Sequence, residues 1–157
     1  MIKKLITIIY FIYVTSFENV NSVEWDCAST SNQGTFTRST DCTISGSNHV
    51  NVATTLEING TNTDMNNLIT ITAAPTQRHR HFYINENAES AVLTLRYLKL
   101  VGGDTTYKLP GGSIHLGRRT CVLNLHSCII TNNKATEGGA IFAWGGGGKN
   151  VAMKIYN

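Results

Sequence analysis

The chain has 157 residues, of which 15% are charged and 41% are hydrophobic, and its formal net charge is +3. This length predicts one domain, since domains usually contain about 100–200 residues. The 20 threonines, 16 asparagines and 14 glycines disfavour helices, because β-branching, side-chain competition for backbone hydrogen bonds and glycine entropy all weaken them. The composition therefore argues against a helical bundle and against disorder. No run of four lysines or arginines occurs, which argues against a nucleic-acid partner.

The amino end, residues 1–22, has the pattern of a secretory signal peptide. Lys3 and Lys4 precede an apolar stretch at residues 5–14, which is too short to cross a membrane core about 30 Å thick. The alternative is a membrane-anchoring helix, but polar residues follow this stretch too soon for it. No later stretch is long and apolar enough to span a bilayer. We therefore expect a secreted or cell-surface protein without a transmembrane span in its mature chain.

The four cysteines favour disulfide bonds in an oxidising compartment. Cys27 and Cys42 bracket a polar stretch, and we predict that they pair within an amino-terminal cap segment at residues 23–45. Cys121 and Cys128 are candidates for a second pair, or they remain small buried apolar residues. The sequence lacks a Cys-x-x-Cys motif and the histidine spacing of zinc fingers, so no metal or other cofactor is predicted.

Two polar motifs lie in the middle of the chain. Asn59 is followed by glycine and threonine, which makes it an N-glycosylation acceptor in a host that glycosylates secreted proteins. The second motif is the cluster Arg78-His79-Arg80-His81. On a strand, its two histidines share one face and its two arginines share the other. This cluster could be a metal-binding pair, a cationic patch for anionic glycans, or a solvated turn at a strand edge.

A four-residue strand pattern recurs along the chain. Residues 92–95, 122–125 and 152–155 carry it at offsets of 30. Residues 68–71 form an earlier copy, 24 residues before the first of these, and residues 56–58 are a further candidate. Each copy has the apolar alternation of a short strand, so we expect its apolar residues to stack in inward rows.

Two further segments repeat with these strands. Residues 98–103 match residues 128–133 at an offset of 30, and residues 111–114 match residues 138–141 at an offset of 27. Each unit therefore contains about three short strands with glycine or asparagine corners. Such strands cannot bury an apolar face alone, but stacked turns of a coil form a continuous core. We predict an all-β parallel β-helix over residues 46–157. The rival is an antiparallel sandwich, which does not need a fixed repeat interval.

One repeat carries a recognisable motif. It consists of Ile130, Asn133, Gly138, Gly139, Ala140 and Ile141. This motif resembles the repeat of the chlamydial polymorphic outer-membrane proteins and their right-handed β-helix relatives, which pairs Phe-x-x-Asn with Gly-Gly-Ala-Ile. Here Ile130 stands in the place of the phenylalanine. The resemblance covers roughly residues 42–157, and it implies a right-handed, single-stranded β-helix with the pectin lyase-like fold. The roughly 135 residues after the predicted signal peptide, at about 30 per turn, predict about four to five rungs.

The carboxyl end combines an aromatic residue, a glycine run and an unfinished repeat. Trp144 precedes four glycines at residues 145–148, which favour a corner loop over a phosphate-binding loop because no Gly-Lys-Ser/Thr ending follows. Trp144 could belong to an aromatic platform for sugars or pack into the core. The sequence stops at Asn157, soon after a rung begins at Val151. We therefore expect an incomplete helix whose open edge is continued by further rungs or covered by a partner.

The predicted function is adhesion or recognition without catalysis. A polysaccharide lyase needs Ca²⁺-binding carboxylates and a base, and a hydrolase needs paired carboxylates. Glu86 and Glu89 are close in sequence, but no two acids recur at one rung position. We therefore expect binding of glycans or cell-surface molecules, with residues 78–81 and Trp144 as the candidate ligand patch. The alternative is a polysaccharide lyase or hydrolase, or the amino-terminal fragment of one.

Overall fold

The computed structural model describes residues 22–45, 49–74, 79–84, 90–105, 109–117, 120–145 and 150–157. Every regular element within these ranges is a β-strand. In chain order the strands are β1 Val23–Glu24, β2 Gly34–Arg38, β3 Cys42–Thr43, β4 Val50–Val52, β5 Thr55–Gly60, β6 Ile69–Thr72, β7 Phe82–Ile84, β8 Ala91–Arg96, β9 Leu98–Val101, β10 Asp104–Thr105, β11 Ile114–Leu116, β12 Cys121–His126, β13 Ile129–Thr131, β14 Lys134–Ala135, β15 Ile141–Ala143 and β16 Val151–Tyr156. The predicted signal peptide lies outside the described residues, apart from Ser22.

The strands form three parallel sheets that the chain visits in a fixed order. The first sheet has the order β1-β2-β5-β8-β12-β16, the second β3-β6-β9-β13 and the third β4-β7-β11-β15. Two short strands, β10 and β14, pair with each other in successive turns, at the corner between the second and third sheets. Among the described residues the chain passes through these three sheets four times in succession. This arrangement confirms the predicted all-β parallel β-helix. The described residues include no helix with the length and apolarity of a membrane span.

The strand register agrees with most of the repeat pattern. Val92 pairs with Val122, and Val122 pairs with Ala152, as the offset of 30 predicts. The match of residues 68–71 to this row was wrong. Those residues contribute β6 to the second sheet, and the copy in the first sheet is β5, where Leu56 pairs with Leu93. Both strands alternate in the same way, so alternation alone could not assign them to a sheet.

The core consists of apolar rows inside the coil. Leu93 and Leu123 are paired neighbours and fully buried, as predicted. Met153 and Ile155 continue the same rows on β16, but their side chains are 49% and 63% exposed. No further strand covers them among the described residues. The apolar row at this position is therefore solvent-exposed rather than part of the core.

The amino-terminal segment belongs to the same sheets. Residues 23–45 contribute β1, β2 and β3, and Trp25 is fully buried against Phe82 at a ring-centroid distance of 6.1 Å. The predicted disulfide between Cys27 and Cys42 is present. It links the buried Cys27, which follows β1, to Cys42 in β3, the edge strand of the second sheet.

The second candidate disulfide is absent. Cys121 and Cys128 are free thiols, and burial raises the pKa of both. Cys121 is the first residue of the extended strand β12 and Cys128 lies two residues beyond its last, and this strand spans about 20 Å for six residues at about 3.3 Å each. A disulfide needs Cα atoms within about 7 Å, so the strand itself keeps them apart. The alternative prediction, small apolar residues packed on the core, describes them.

The repeat motif acts at the corners between strands. The Asn133 side chain accepts a hydrogen bond from the Gly103 N–H (2.7 Å) and donates one to the Thr131 carbonyl (2.7 Å). It therefore joins two successive turns. A Cβ atom on Gly112 would overlap the backbone of Gly139, which shows how closely the Gly-Gly corners stack.

Candidate ligand-binding site

The outer face of the third sheet carries a row of rings. Tyr83, His115 and Phe142 occupy the middle positions of β7, β11 and β15 and are paired in register. The residues on either side of Tyr83 and His115 are fully buried. Because successive side chains of a strand point to opposite faces, these middle residues face away from the core. The parallel register therefore brings three rings from three turns into one column.

The column extends at both ends into a structure that we call the ring ladder. It consists of His49, Tyr83, His115, Phe142 and Trp144. Successive ring centroids are 5.2, 5.1, 5.3 and 6.1 Å apart, and every contact is edge-to-face. The first three distances are close to the spacing of neighbouring strands, about 4.8 Å. Edge-to-face contacts suit the ring quadrupoles and hold the ladder in a defined shape.

An open pocket lies beside one end of the ring ladder. Its volume is about 230 Å³. The lining residues are His49, Arg80, Tyr83, Leu109 and His115. The pocket is smaller than the range of about 300–1,000 Å³ that drug-sized ligands occupy. It therefore suits a small group, or one unit of a longer polymer that lies along the ladder.

Arg80 provides the positive charge of this pocket. The residue is only 4% exposed, and its guanidinium carbon lies 5.5 Å from the centre of the Tyr83 ring. Its Nη1 atom has no hydrogen-bond partner within the described residues. By contrast, Arg38 and Arg96 on the first sheet form ion pairs with Glu24 and Glu57. Burial lowers the pKa of Arg80, since removing a cation from water disfavours its charged form.

Two histidines flank this cation. Burial, followed by the positive charge of Arg80, lowers the pKa of His49 to about 4, so its ring is neutral at neutral pH. His79 and His115 lower it further in the same direction. The His115 Nδ1 atom donates a hydrogen bond to the Pro110 carbonyl (3.3 Å), which fixes the orientation of that ring.

The predicted patch at residues 78–81 does not act as one surface. Arg78 lies outside the described residues. His79 forms an antiparallel bridge with Asp104, and Arg80 lines the pocket. The solvated strand edge that we considered is therefore wrong for Arg80, which is buried. Trp144 is 41% exposed and ends the ring ladder, so it does not pack into the core. Its role in an aromatic platform for sugars stays a prediction.

His81 belongs to the core and not to a ligand patch. It is fully buried, and its Nε2 atom lies 3.1 Å from the Ile71 carbonyl and 3.2 Å from the Val101 carbonyl. Since carbonyls only accept, Nε2 carries the proton. Nδ1 then accepts a hydrogen bond from the Ser113 hydroxyl at 3.0 Å. Burial lowers the pKa of His81 to about 4.

Sequence reasoning missed His49, Tyr83 and His115 as members of one site. In the sequence, His49 and His115 stand singly and share no motif. A signal was nevertheless present: the three-residue strands Phe82–Ile84, Ile114–Leu116 and Ile141–Ala143 each place a ring at the middle position. The third strand of each turn thus carries its own repeat, a ring at its middle position, beside the repeat of the first strand.

The remaining candidate residues lie elsewhere. Within the described ranges no group of three or more histidine, cysteine or acidic residues could hold a metal ion. The described lining of the pocket contains no carboxylate, and Glu86 and Glu89 lie outside the described residues. Asn59 lies within β5 between Thr37 and Arg96, and its side-chain oxygen is buried. Glycosylation of Asn59 stays a prediction.

Comparison with known proteins gives no assignment. No family model matches the chain, and neither the curated proteins nor the solved structures gave a match. The resemblance of the repeat motif to the polymorphic outer-membrane proteins therefore stays a prediction. The function has to be inferred from the chemistry of the ring ladder and its pocket.

Proposed function

We propose that this chain is a secreted or cell-surface β-helix protein that recognises glycans or other cell-surface molecules without cleaving them. The observation that carries the proposal is the ring ladder on the outer face of the third sheet, together with the open pocket beside it. The disulfide between Cys27 and Cys42 is compatible with an oxidising compartment, as the predicted signal peptide requires.

The ring ladder suits an extended, repetitive ligand. Sugar rings have apolar C–H faces and polar edges, so they pack on aromatic side chains that sit at a water interface. Successive rungs present rings at an almost constant interval, which would let a polymer make several weak contacts in a line. Weak contacts that act together on one chain give high overall avidity. A rigid stacked sheet also holds the rings in position before binding, which reduces the entropic cost of association.

The described lining of the pocket supports binding more than turnover. Glycoside hydrolysis needs two carboxyl groups that flank the scissile bond. The pocket instead has a buried arginine, a tyrosine, two histidines and a leucine. Resemblance of fold to polysaccharide-cleaving enzymes is not by itself a reason to assign that activity.

A glycan array and a cell-binding assay on the full chain test the proposal. Trp144→Ala should weaken binding about fivefold or more, since aromatic contact residues often contribute above about 1 kcal/mol. Met65→Ala is the matched control, because Met65 is similarly exposed (45% against 41%) but lies in the turn between β5 and β6. It should leave binding unchanged.

Two results would contradict the proposal. The first is the absence of binding to every glycan and cell surface tested. The second is equal loss of binding in the Trp144 and Met65 variants, which would dissociate recognition from the ring ladder. Release of reducing ends or unsaturated sugars from acidic polysaccharides would instead support the enzymatic alternative.

A further inference from the structure

We propose that the pocket at Arg80 binds one oxyanion, the carboxylate or sulfate group of an acidic sugar, while the sugar ring packs against the ring ladder. This inference rests on the proposed function and makes it more specific: it names acidic glycans as the ligand class. Within this site, Arg80 binds the negatively charged group and the ring ladder contacts the face of the sugar ring.

The first argument is the state of Arg80. A buried arginine usually has a carboxylate partner, because an unpaired charge in a low-dielectric site costs several kcal/mol. Here the guanidinium has Tyr83 beside it, and its Nη1 atom has no hydrogen-bond partner within the described residues. The contact with Tyr83 offsets only a part of that cost. An anion at this position would complete the hydrogen bonding of the guanidinium and neutralise its charge.

The second argument is access. Arg80 is 4% exposed, yet it lines an open pocket together with the rings of His49, Tyr83 and His115. Arg80 therefore borders the pocket, and because its Nη1 atom is closed to water, an oxyanion would bond that atom after a small rotation of the guanidinium. Charge-assisted hydrogen bonds to a guanidinium are stronger in such a partly desolvated place than on an open surface.

The third argument concerns what the pocket selects against. The positive charge of Arg80, with no carboxylate in the described lining, repels metal cations and cationic ligands. A neutral sugar could pack on the rings but would leave the guanidinium without a counter-charge. The geometry thus favours a ligand that combines a planar or tetrahedral oxyanion with a ring, as uronic acids and sulfated sugars do.

Nuclear magnetic resonance titration of the full chain tests this inference. The probes are D-glucuronate, D-glucose 6-sulfate, inorganic sulfate and neutral D-glucose, with the backbone amides of Tyr83 and His115 as reporters. We expect both acidic sugars to shift these signals at concentrations where D-glucose does not. Arg80→Gln should weaken glucuronate binding by about tenfold or more, since hydrogen bonds to charged groups contribute about 1.5–3 kcal/mol.

The controls separate charge, folding and position. Arg96→Gln removes another arginine, one paired with Glu57 on the first sheet, and should leave binding unchanged. Arg80→Lys keeps the charge without the planar fork and should retain part of the affinity. If Arg80→Gln does not fold, two comparisons still test the anion site. The first is wild type against Arg80→Lys, and the second is the charged probes against neutral D-glucose.

The outcomes also distinguish this inference from the proposed function. Binding of inorganic sulfate as tightly as the acidic sugars would identify a free oxyanion as the ligand and overturn the sugar assignment. Equal shifts with glucose and glucuronate, or unchanged affinity in Arg80→Gln, would overturn the anion site while glycan recognition stands. Saturable, Arg80-dependent binding of the acidic sugars with no glycan or cell bound on any array would support the anion site and count against the proposed function.

Discussion

Neighbouring residues of the Arg78–His81 cluster have opposite environments. His81 points into the core and satisfies both ring nitrogens with Ile71, Val101 and Ser113, whereas Arg80 lines the outer pocket. Alternation along a strand predicts such a separation of faces, but it does not say which face is the interior. The sequence therefore indicated that this cluster was unusual and could not tell that Arg80 and His81 serve different purposes.

The buried His81 gives the fold a dependence on acid that can be measured. Its pKa is lowered to about 4 in the folded chain against about 6.5 unfolded, so its contribution to stability is complete above pH 6.5. As the pH falls from 6.5 towards 4, the unfolded chain binds a proton that the folded chain does not. We expect the free energy of unfolding to fall by about 1.4 kcal/mol per pH unit from this residue alone.

Urea unfolding at several pH values, with the His81 ring followed by nuclear magnetic resonance, checks this expectation. His126 is a suitable control because it lies on the outer side of β12 and stacks on Tyr156 at 4.2 Å. In the His126→Gln variant, the free energy of unfolding should keep most of its dependence on pH. A His81 ring that titrates near pH 6.5, or stability that does not change between pH 7 and pH 5, would contradict the assignment.

Whole elements were predicted better than single residues, because a stacked coil repeats its register. The offset of 30 placed β8, β12 and β16 side by side correctly, and the offset of 27 did the same for β11 and β15. The prediction was wrong at residues 68–71, where the linking segments differ in length from later turns. The candidate copy at residues 56–58 does lie in the first sheet, but the pairing of Leu56 with Leu93 spans 37 residues and does not follow the offset of 30.

The second glycines of the two Gly-Gly corners offer a matched test of stacking. A Cβ on Gly112 would overlap the Gly139 carbonyl oxygen and come within 2.6 Å of the Lys134 oxygen, whereas a Cβ on Gly139 would lie 3.5 Å from the nearest atom. We expect Gly112→Ala to destabilise the fold by about 1–3 kcal/mol through overpacking. Gly139→Ala should be neutral or stabilising by up to about 1 kcal/mol.

Thermal or urea unfolding of the two alanine variants gives the comparison directly. Both changes add the same atoms at the same motif position, so helix or strand propensity contributes equally to both. Equal destabilisation would show that the motif requires glycine for its backbone conformation and not for the close approach of the next turn.

The whole molecule is a linear stack, and its ends should therefore differ in stability. Each turn contacts only its neighbours, so stability is close to a sum of local terms. The disulfide between Cys27 and Cys42 closes a loop with a sequence separation of 15, at the turn that contains Trp25. Toward the other end, Met153 and Ile155 on β16 are exposed. We expect the protection of backbone amides against hydrogen exchange to decrease from the disulfide-linked turns toward β16.

Reduction of this disulfide should affect the stack unevenly. A 15-residue loop corresponds to about 3 kcal/mol of stabilisation. Because coupling passes only between adjacent turns, hydrogen exchange in dithiothreitol should speed up most in β2, β3 and β5 and least in β12. The double variant Cys27→Ala/Cys42→Ala is the control. It should not respond to the reductant, since Cys121 and Cys128 are already free thiols. Uniform loss of protection along all turns would show that the β-helix unfolds as one cooperative unit and not turn by turn.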